Sequence, residues 1–336
     1  MYKLGILGTC NTHAEIFSGL FNKYQDNIEK RGRQDNLNEH GRQDNPGNLE
    51  NHSKRENHGK QGNPDNTDKY DSFDFYGFGR AGVEYIFGFD TEKTKEIASA
   101  YSINNAVTDV SEMYDNVDAA MVIFRHGMYH AQYAIPFLKR RIPVFVDKPF
   151  TISEKDALSI IKAAEKYNTP LMGGSSLKYA PDTMVVKELL FNEAKTIKTA
   201  ALNFPATTKN PYGNLHFYGS HLVELALEIF GYDCISVNSF EKNGTVTAVL
   251  GYDKYNITLN FIPDSKRSYC VIFTEKDTII REIDLSLVFK EQMHRFMDML
   301  DTKVNPQDLS CLYKSVKVVN AVIKSYEKNR EVILKN

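Results

Sequence analysis

No apolar run in this chain of 336 residues approaches the roughly 20 that a membrane-spanning helix needs. No basic leader with a long apolar stretch precedes Lys3-Leu4-Gly5-Ile6-Leu7-Gly8, so no signal peptide is expected. Charge of one sign is also missing. The formal net charge is −2, which gives no electrostatic basis for binding nucleic acid or an anionic membrane. Cysteine is sparse, and Cys10, Cys234, Cys270 and Cys311 stand without the spacing of a metal site. Reduced thiols in a cytoplasmic protein are therefore expected.

From Arg31 to Lys69 apolar residues run short too, with Leu37 and Leu49 the only large ones. Seven basic and seven acidic residues cancel there, and Arg-Gln-Asp-Asn occurs at 33–36 and again at 42–45. Such a tract cannot bury enough apolar surface to offset its chain entropy, so a disordered or loose insertion over about 25–73 is expected. His40, His52 and His58 are dispersed through it, which fits solvated side chains better than metal ligands, and no metal is assigned.

What is present is alternation. Strands are expected at Lys3–Leu7, Val83–Phe89, Ala119–Phe124, Pro143–Val146 and Pro170–Gly173. Helices are expected between them at Thr12–Tyr24, Thr91–Tyr101, Tyr129–Lys139 and Ser153–Tyr167, the last opened by a capping pair, Ser153 and Asp156. Repeated strand–helix–strand units imply a doubly wound parallel sheet. Further on, Ile197–Phe204, Thr245–Leu250, Asn256–Ile262, Tyr269–Phe273 and Thr278–Asp284 read as short strands parted by turns, with helices at Phe217–Phe230 and Asp308–Glu327. The fold class expected is α/β, a Rossmann sheet followed by an α+β domain with a large, mostly antiparallel sheet. The division is 1–150 and 151–336, with 151–174 packing back on the first sheet.

Three places in this layout carry chemistry. The strand Val144-Phe145-Val146 delivers Asp147-Lys148-Pro149 at its C-terminal end, the edge where ligands bind in open α/β sheets. Pro149 restricts Lys148 to extended backbone, so the ammonium is aimed and can polarise an oxygen or relay its proton. Gly8-Thr9-Cys10-Asn11-Thr12-His13 occupies the first strand–turn–helix, the place of a dinucleotide fingerprint, although Cys10 and His13 replace two of its three glycines. Asp90, at the end of the second strand, is placed to accept hydrogen bonds from ribose hydroxyls and favours NAD. Lys93 and Lys95 nearby leave NADP open. On the Phe217–Phe230 helix, His221, Glu224 and Glu228 share one narrow face, which suits either a site or a solvated surface.

In their order these features resemble the Gfo/Idh/MocA oxidoreductases, the family of glucose–fructose oxidoreductase and inositol dehydrogenase. The matching pieces are Gly8–Ala14, Asp90, the run Phe124-Arg125-His126-Gly127-Met128-Tyr129-His130-Ala131, Asp147-Lys148-Pro149 and Gly219-Ser220-His221-Leu222-Val223-Glu224. Phe289–Leu300 and Ala321–Tyr326 also look like that family. The resemblance implies an NAD(P)-dependent dehydrogenase acting on a sugar, polyol or related hydroxy or keto compound. It implies Lys148 and His221 as catalytic residues. Cofactor contacts are expected from Gly8, Thr9, Cys10, Asn11, Thr12 and His13, from Asp90, and from Phe124, Arg125, His126, His130, Asp147 and Lys148. Lys148, Lys178, His221 and Glu224 are expected on the substrate side. A homo-oligomer formed through the C-terminal sheet is expected as well.

Two positions depart from the family pattern: Phe217 stands where an aspartate usually precedes the histidine by one helical turn, and Cys10 replaces a glycine. Both leave open a second reading, a non-catalytic nucleotide- or metabolite-binding regulator on the same fold. A third, an interaction scaffold around the polar tract, rests on low complexity alone.

Overall fold

Strand β1 (Tyr2–Leu7) is buried on both faces: Leu4, Ile6 and Leu7 have no exposed surface. Such a strand needs cover on each side, which parallel sheets provide. The computed structural model describes residues 1–23, 78–192 and 196–334. The polar tract 31–69, with its three histidines, lies outside the described residues.

Parallel to β1 run β2 (Ala81–Phe87), β3 (Asn105–Val107), β4 (Ala119–Val122), β5 (Val144–Val146) and β6 (Leu171–Gly173), in the order β3-β2-β1-β4-β5-β6. The order reverses between β1 and β4, the switch point outside which such sheets bind ligands. Side chains alternate between faces. Ala120 and Val122 join a core with helices α3 (His130–Lys139) and α4 (Glu154–Tyr167), while Ala119 and Met121 join one with α1 (His13–Ser18) and α2 (Thr91–Ala100).

After helix α5 (Pro181–Asn192) comes a second sheet of β7 (Ile197–Phe204), β8 (Ser236–Lys242), β9 (Thr245–Gly251), β10 (Asn256–Phe261), β11 (Tyr269–Thr274), β12 (Thr278–Glu282) and β13 (Val332–Ile333). Its order is β12-β11-β7-β10-β9-β8-β13, and only the β7–β10 pair is parallel. The expected fold class is borne out. Helix α6 (Leu215–Phe230) is covered by this sheet's core, with Leu222, Val223, Leu225, Ala226 and Leu227 fully buried.

The last two helices tie the sheets together. Phe296, Met297 and Leu300 of α7 (Val288–Thr302) enter the core of the first sheet. Helix α8 (Leu309–Lys328), capped by Asp308, buries Leu309, Leu312 and Val316 in that sheet's other core. It then buries Val318, Val319 and Val322 under the second sheet. Each such side chain contributes roughly 1.5–3 kcal/mol.

The expected helix Thr12–Tyr24 is different in detail. It is α-helical only to Ser18 and continues as a π-helical turn, Gly19–Lys23. In that turn the Asn22 amide donates to the carbonyls of Val83 and Tyr101 (both 2.9 Å) and accepts from the N–H of Val83 (2.7 Å). Strand β8 and helix α5 were not expected, since polar residues fill much of β8 and α5 has little amphipathic contrast.

Candidate active site

The turn after β1 is built around Gly8. Its φ is +121°, its N–H donates to Phe87 at 2.8 Å, and a Cβ there would lie 2.7 Å from the backbone nitrogen of Phe124. Only glycine fits. The residues that follow alternate in direction. Thr9 is buried with its hydroxyl 3.0 Å from that of Thr94, and the Asn11 amide donates to Ile123 at 2.8 Å. Cys10 and Thr12 face outward, and Cys10 Sγ accepts from the Arg125 N–H at 3.2 Å. Asp90 is exposed at the N-cap of α2, where Oδ1 accepts from Lys93 N–H at 3.0 Å. Beside it Phe89, 56 % exposed, stacks on Phe124 with centroids 5.0 Å apart. A turn opened by a glycine at the switch point and an outward carboxylate at the end of β2 fit a dinucleotide. Gly8, Cys10, Thr12 and Asp90 are the groups that would hold it.

Beyond β5 the chain carries two charges inward. Asp147, 1 % exposed, lies 2.6 Å from Nδ1 of His13, whose ring packs edge-on against Phe289 of α7 at 4.8 Å. Burial works to raise the Asp147 carboxyl pKa, but His13 and Lys148 together hold it below the usual range. Lys148 is 3 % exposed, with Nζ 4.1 Å from the ring centre of Phe217 and 4.9 Å from that of Tyr218. Burial lowers its pKa, Asp147 opposes this and Arg125 adds to it, leaving the ammonium at about 8.

His130 is fully buried between two backbone carbonyls, Phe124 at 2.8 Å from Nε2 and Phe150 at 3.0 Å from Nδ1. It thereby joins the ends of β4 and of the segment after β5. Burial pushes its pKa down, and a neutral ring donates to one of those carbonyls only.

Helix α6 supplies the facing wall. His221 is 5 % exposed, and its Nδ1 lies 2.7 Å from the Ser175 hydroxyl. Burial, then the charges of Lys148 and His13, push the imidazole well below its ordinary pKa, so it is neutral near pH 7. Glu224 is not solvated. It is 1 % exposed and its Oε2 accepts from the Ser175 N–H at 2.9 Å and from Lys178 at 3.1 Å. Gly174 makes room for that carboxylate, since a Cβ there would lie 2.1 Å from Oε2. Lys178 also donates to the carbonyl of Gly173 (3.0 Å) and to Gln307 (2.9 Å). Burial opposes its charge, but Glu224 and Tyr179 outweigh burial and raise its pKa.

A loop closes the remaining side. Asn210 and Asn214 bond each other's backbone, and Asn210 accepts from the Tyr212 N–H at 2.9 Å, which fixes the backbone that carries Tyr212. The Arg125 guanidinium lies 4.4 Å from that ring centre and 5.9 Å from that of Phe217. His126 accepts from the Met128 N–H and lies against Gly213.

The structure thus gathers His13, Arg125, Asp147, Lys148 and His221 around one centre, while the Phe124 ring lies against Phe89 next to Asp90. Asp90 stands apart at the end of β2, and Lys178 lies behind Glu224. Sequence reasoning missed Ser175, Tyr212 and Tyr218. Ser175 follows the C-terminal end of β6, a signal that could have found it; nothing in sequence pointed to Tyr212.

Residues 70–175 match the family model of the Gfo/Idh/MocA oxidoreductases, described as an oxidoreductase family with an NAD-binding Rossmann fold. This bears out both the resemblance and NAD as the cofactor. No curated protein matches the chain by sequence. Among solved structures, GenD2 from gentamicin A biosynthesis, in complex with NAD, is similar with a TM-score of 0.74 at 13% identity, covering 100% of this chain and 97% of its own. The WlbA dehydrogenase from Bordetella pertussis, in complex with NADH and UDP-GlcNAcA, gives 0.70 at 13% identity, covering 100% and 98%. Myo-inositol 2-dehydrogenase from Lactobacillus plantarum gives 0.67 at 14% identity, covering 76% and 92%.

Proposed function

We propose, on the premise that this chain is an oxidoreductase of the Gfo/Idh/MocA family, that it moves a hydride between NAD and a CH–OH carbon of a sugar, polyol or related small hydroxy compound. The observation that carries this reading is the pairing of a buried Lys148 ammonium with a neutral, buried His221 at the C-terminal edge of the sheet. NAD, when bound, supplies the hydride acceptor. The chain supplies the proton chemistry. A neutral imidazole can take the hydroxyl proton at Nε2 while Nδ1 rests on Ser175. The Lys148 ammonium stabilises the oxygen as negative charge develops on it, in a site where burial strengthens that interaction. Asp147 holds Lys148 charged from behind, and His13 keeps Asp147 in place. Gly8, Cys10, Thr12 and Asp90 bind the dinucleotide, Phe124 and His130 shape its end of the cleft, and Glu224 with Lys178 orders the wall that carries His221.

No described helix is long and apolar enough to cross a membrane, and a cytoplasmic homo-oligomer joined through the second sheet completes the proposal. NADH fluorescence titration followed by a panel of sugars, polyols and their keto forms tests it. NADH binding with turnover of a panel member supports the enzyme. NADH binding without any turnover favours the regulator reading, and Phe217 in the place of an acid is the feature that would then explain it.

A further inference from the structure

The site holds more positive charge than the proposed proton chemistry uses. Lys148 suffices to stabilise an alkoxide, yet Arg125 reaches the same Phe217 ring, at 5.9 Å against 4.1 Å for Lys148. Neither cation meets a carboxylate within ion-pair distance among the described residues. Asp147 faces His13, Glu224 is held by Lys178 and Ser175, and the position one turn before His221 is Phe217. At Arg125 aromatic faces take the place of a counter-ion. They soften the charge of a cation but accept none of the directed hydrogen bonds a guanidinium fork offers. The buried Nε of Arg125 has no hydrogen-bond partner, and a buried donor left so costs stability unless a ligand completes it.

We propose that the substrate presents an anionic oxygen group, a carboxylate or a phosphate ester, to Arg125, close to the carbon that meets Lys148. This rests on the reading of the centre as an oxidoreductase site. A planar, two-oxygen acceptor matches the guanidinium fork, and the anion would neutralise the repulsion between Arg125 and Lys148, which lowers the Lys148 pKa. The dinucleotide does not account for Arg125 in this geometry. Its backbone N–H meets Cys10 in the first turn, but its side chain turns away onto Tyr212, in the loop after β7.

The test is binding to the NADH-loaded protein, read by calorimetry without turnover, of glucose, glucuronate and glucose 6-phosphate. At least one anionic sugar should bind about 10- to 100-fold tighter than glucose, the ratio that a charge-assisted hydrogen bond supports. Glucuronate ahead of the phosphate names a carboxylate, and the reverse order names a phosphate. Arg125→Gln should erase most of this preference, read as the ratio of anionic-sugar to glucose affinity within the same variant, and Arg125→Lys should fall between. Glucose bound as tightly as both anions overturns the proposal, and so does an equal loss of NADH and all three sugars in Arg125→Gln. Failure of the oxidoreductase reading is distinct, because it appears as absent turnover of every sugar, polyol and keto form while the anion preference of the NADH-loaded protein stays intact.

Discussion

The hydroxyl of Ser175 lies 2.7 Å from Nδ1 of His221, and the N–H of the same serine donates to Glu224, one turn further along α6, at 2.9 Å. One residue at the end of β6 therefore fixes both the proposed proton carrier and the carboxylate behind it. The hydroxyl is itself held, because it accepts from the Leu177 N–H at 3.1 Å.

Ser175→Ala removes the partner of Nδ1 and keeps the backbone bond to Glu224. A lost hydrogen bond of about 0.5–1.5 kcal/mol corresponds to a kcat lower by roughly 2- to 12-fold. NADH affinity should not change, and Ser175→Thr should restore most of the rate. Unchanged kcat in Ser175→Ala would show that His221 is oriented by packing against Phe204 and Tyr218 alone.

Lys148 makes the pH dependence explicit. With its ammonium at about 8, kcat/KM should fall as pH rises through that value, because in the proposed chemistry it is the charged form that stabilises the developing oxyanion. Lys148→Ala and His221→Ala should each lower turnover by about 10²–10⁴, with far smaller effects on NADH binding, and Lys148→Met should lack the alkaline limb. Stability moves the opposite way. The unfolded lysine holds its proton to about 10.5, so between about 8 and 10.5 the unfolded state binds more protons and stability rises with pH. Buried Cys234 and Cys270, pushed up to about 12, cost stability over the same window. The difference in urea midpoint between the wild type and Lys148→Met therefore reads the sign, and a difference that does not change with pH would contradict the buried ammonium.

Much of the fold was legible because parallel strands buried on both faces read as apolar runs ended by turn residues. Ile197–Phe204 appears with the same bounds in sequence and structure. What escaped was decided by tertiary partners. The π-helical turn serves Asn22's bonds to Val83 and Tyr101, and β8 is a strand because β9 and β13 flank it. At the site, the residues at strand ends (Gly8, Arg125, Lys148) were visible from position alone. The Phe217 departure was visible only as a missing acid. That its ring would face Lys148, while Arg125 lies on Tyr212, depends on a loop whose shape comes from the Asn210–Asn214 bonds.

The cofactor turn allows a sharp test. Gly8→Ala places a methyl 2.7 Å from the backbone of Phe124 in a backbone region that L residues rarely adopt. NADH binding should be lost or reduced by more than tenfold, with a lower Tm. On the proposed reading the Asp90 carboxylate would repel a 2′-phosphate, so NADH should bind more tightly than NADPH, and Asp90→Asn should narrow that gap. NADPH binding equal to NADH in the wild type would remove Asp90 from cofactor recognition and leave it as the cap of α2.

The Lys178–Glu224 pair separates structure from chemistry. The two side chains are each 2 % exposed and 3.1 Å apart, so removing one leaves a buried charge without compensation, a loss of about 3–5 kcal/mol. Lys178→Met and Glu224→Gln should each lower the urea midpoint strongly. The double variant should recover much of the loss, because two neutral side chains of similar volume need no desolvated charge, and Gln can still accept from the Ser175 N–H. A coupling of at least about 2 kcal/mol is expected for residues in one network. If the double variant is also active, the pair serves to hold α6 against β6 and His221 in place. Additive losses would instead mean that Lys178 and Glu224 act through different partners, with Gln307 and the Gly173 carbonyl carrying the lysine.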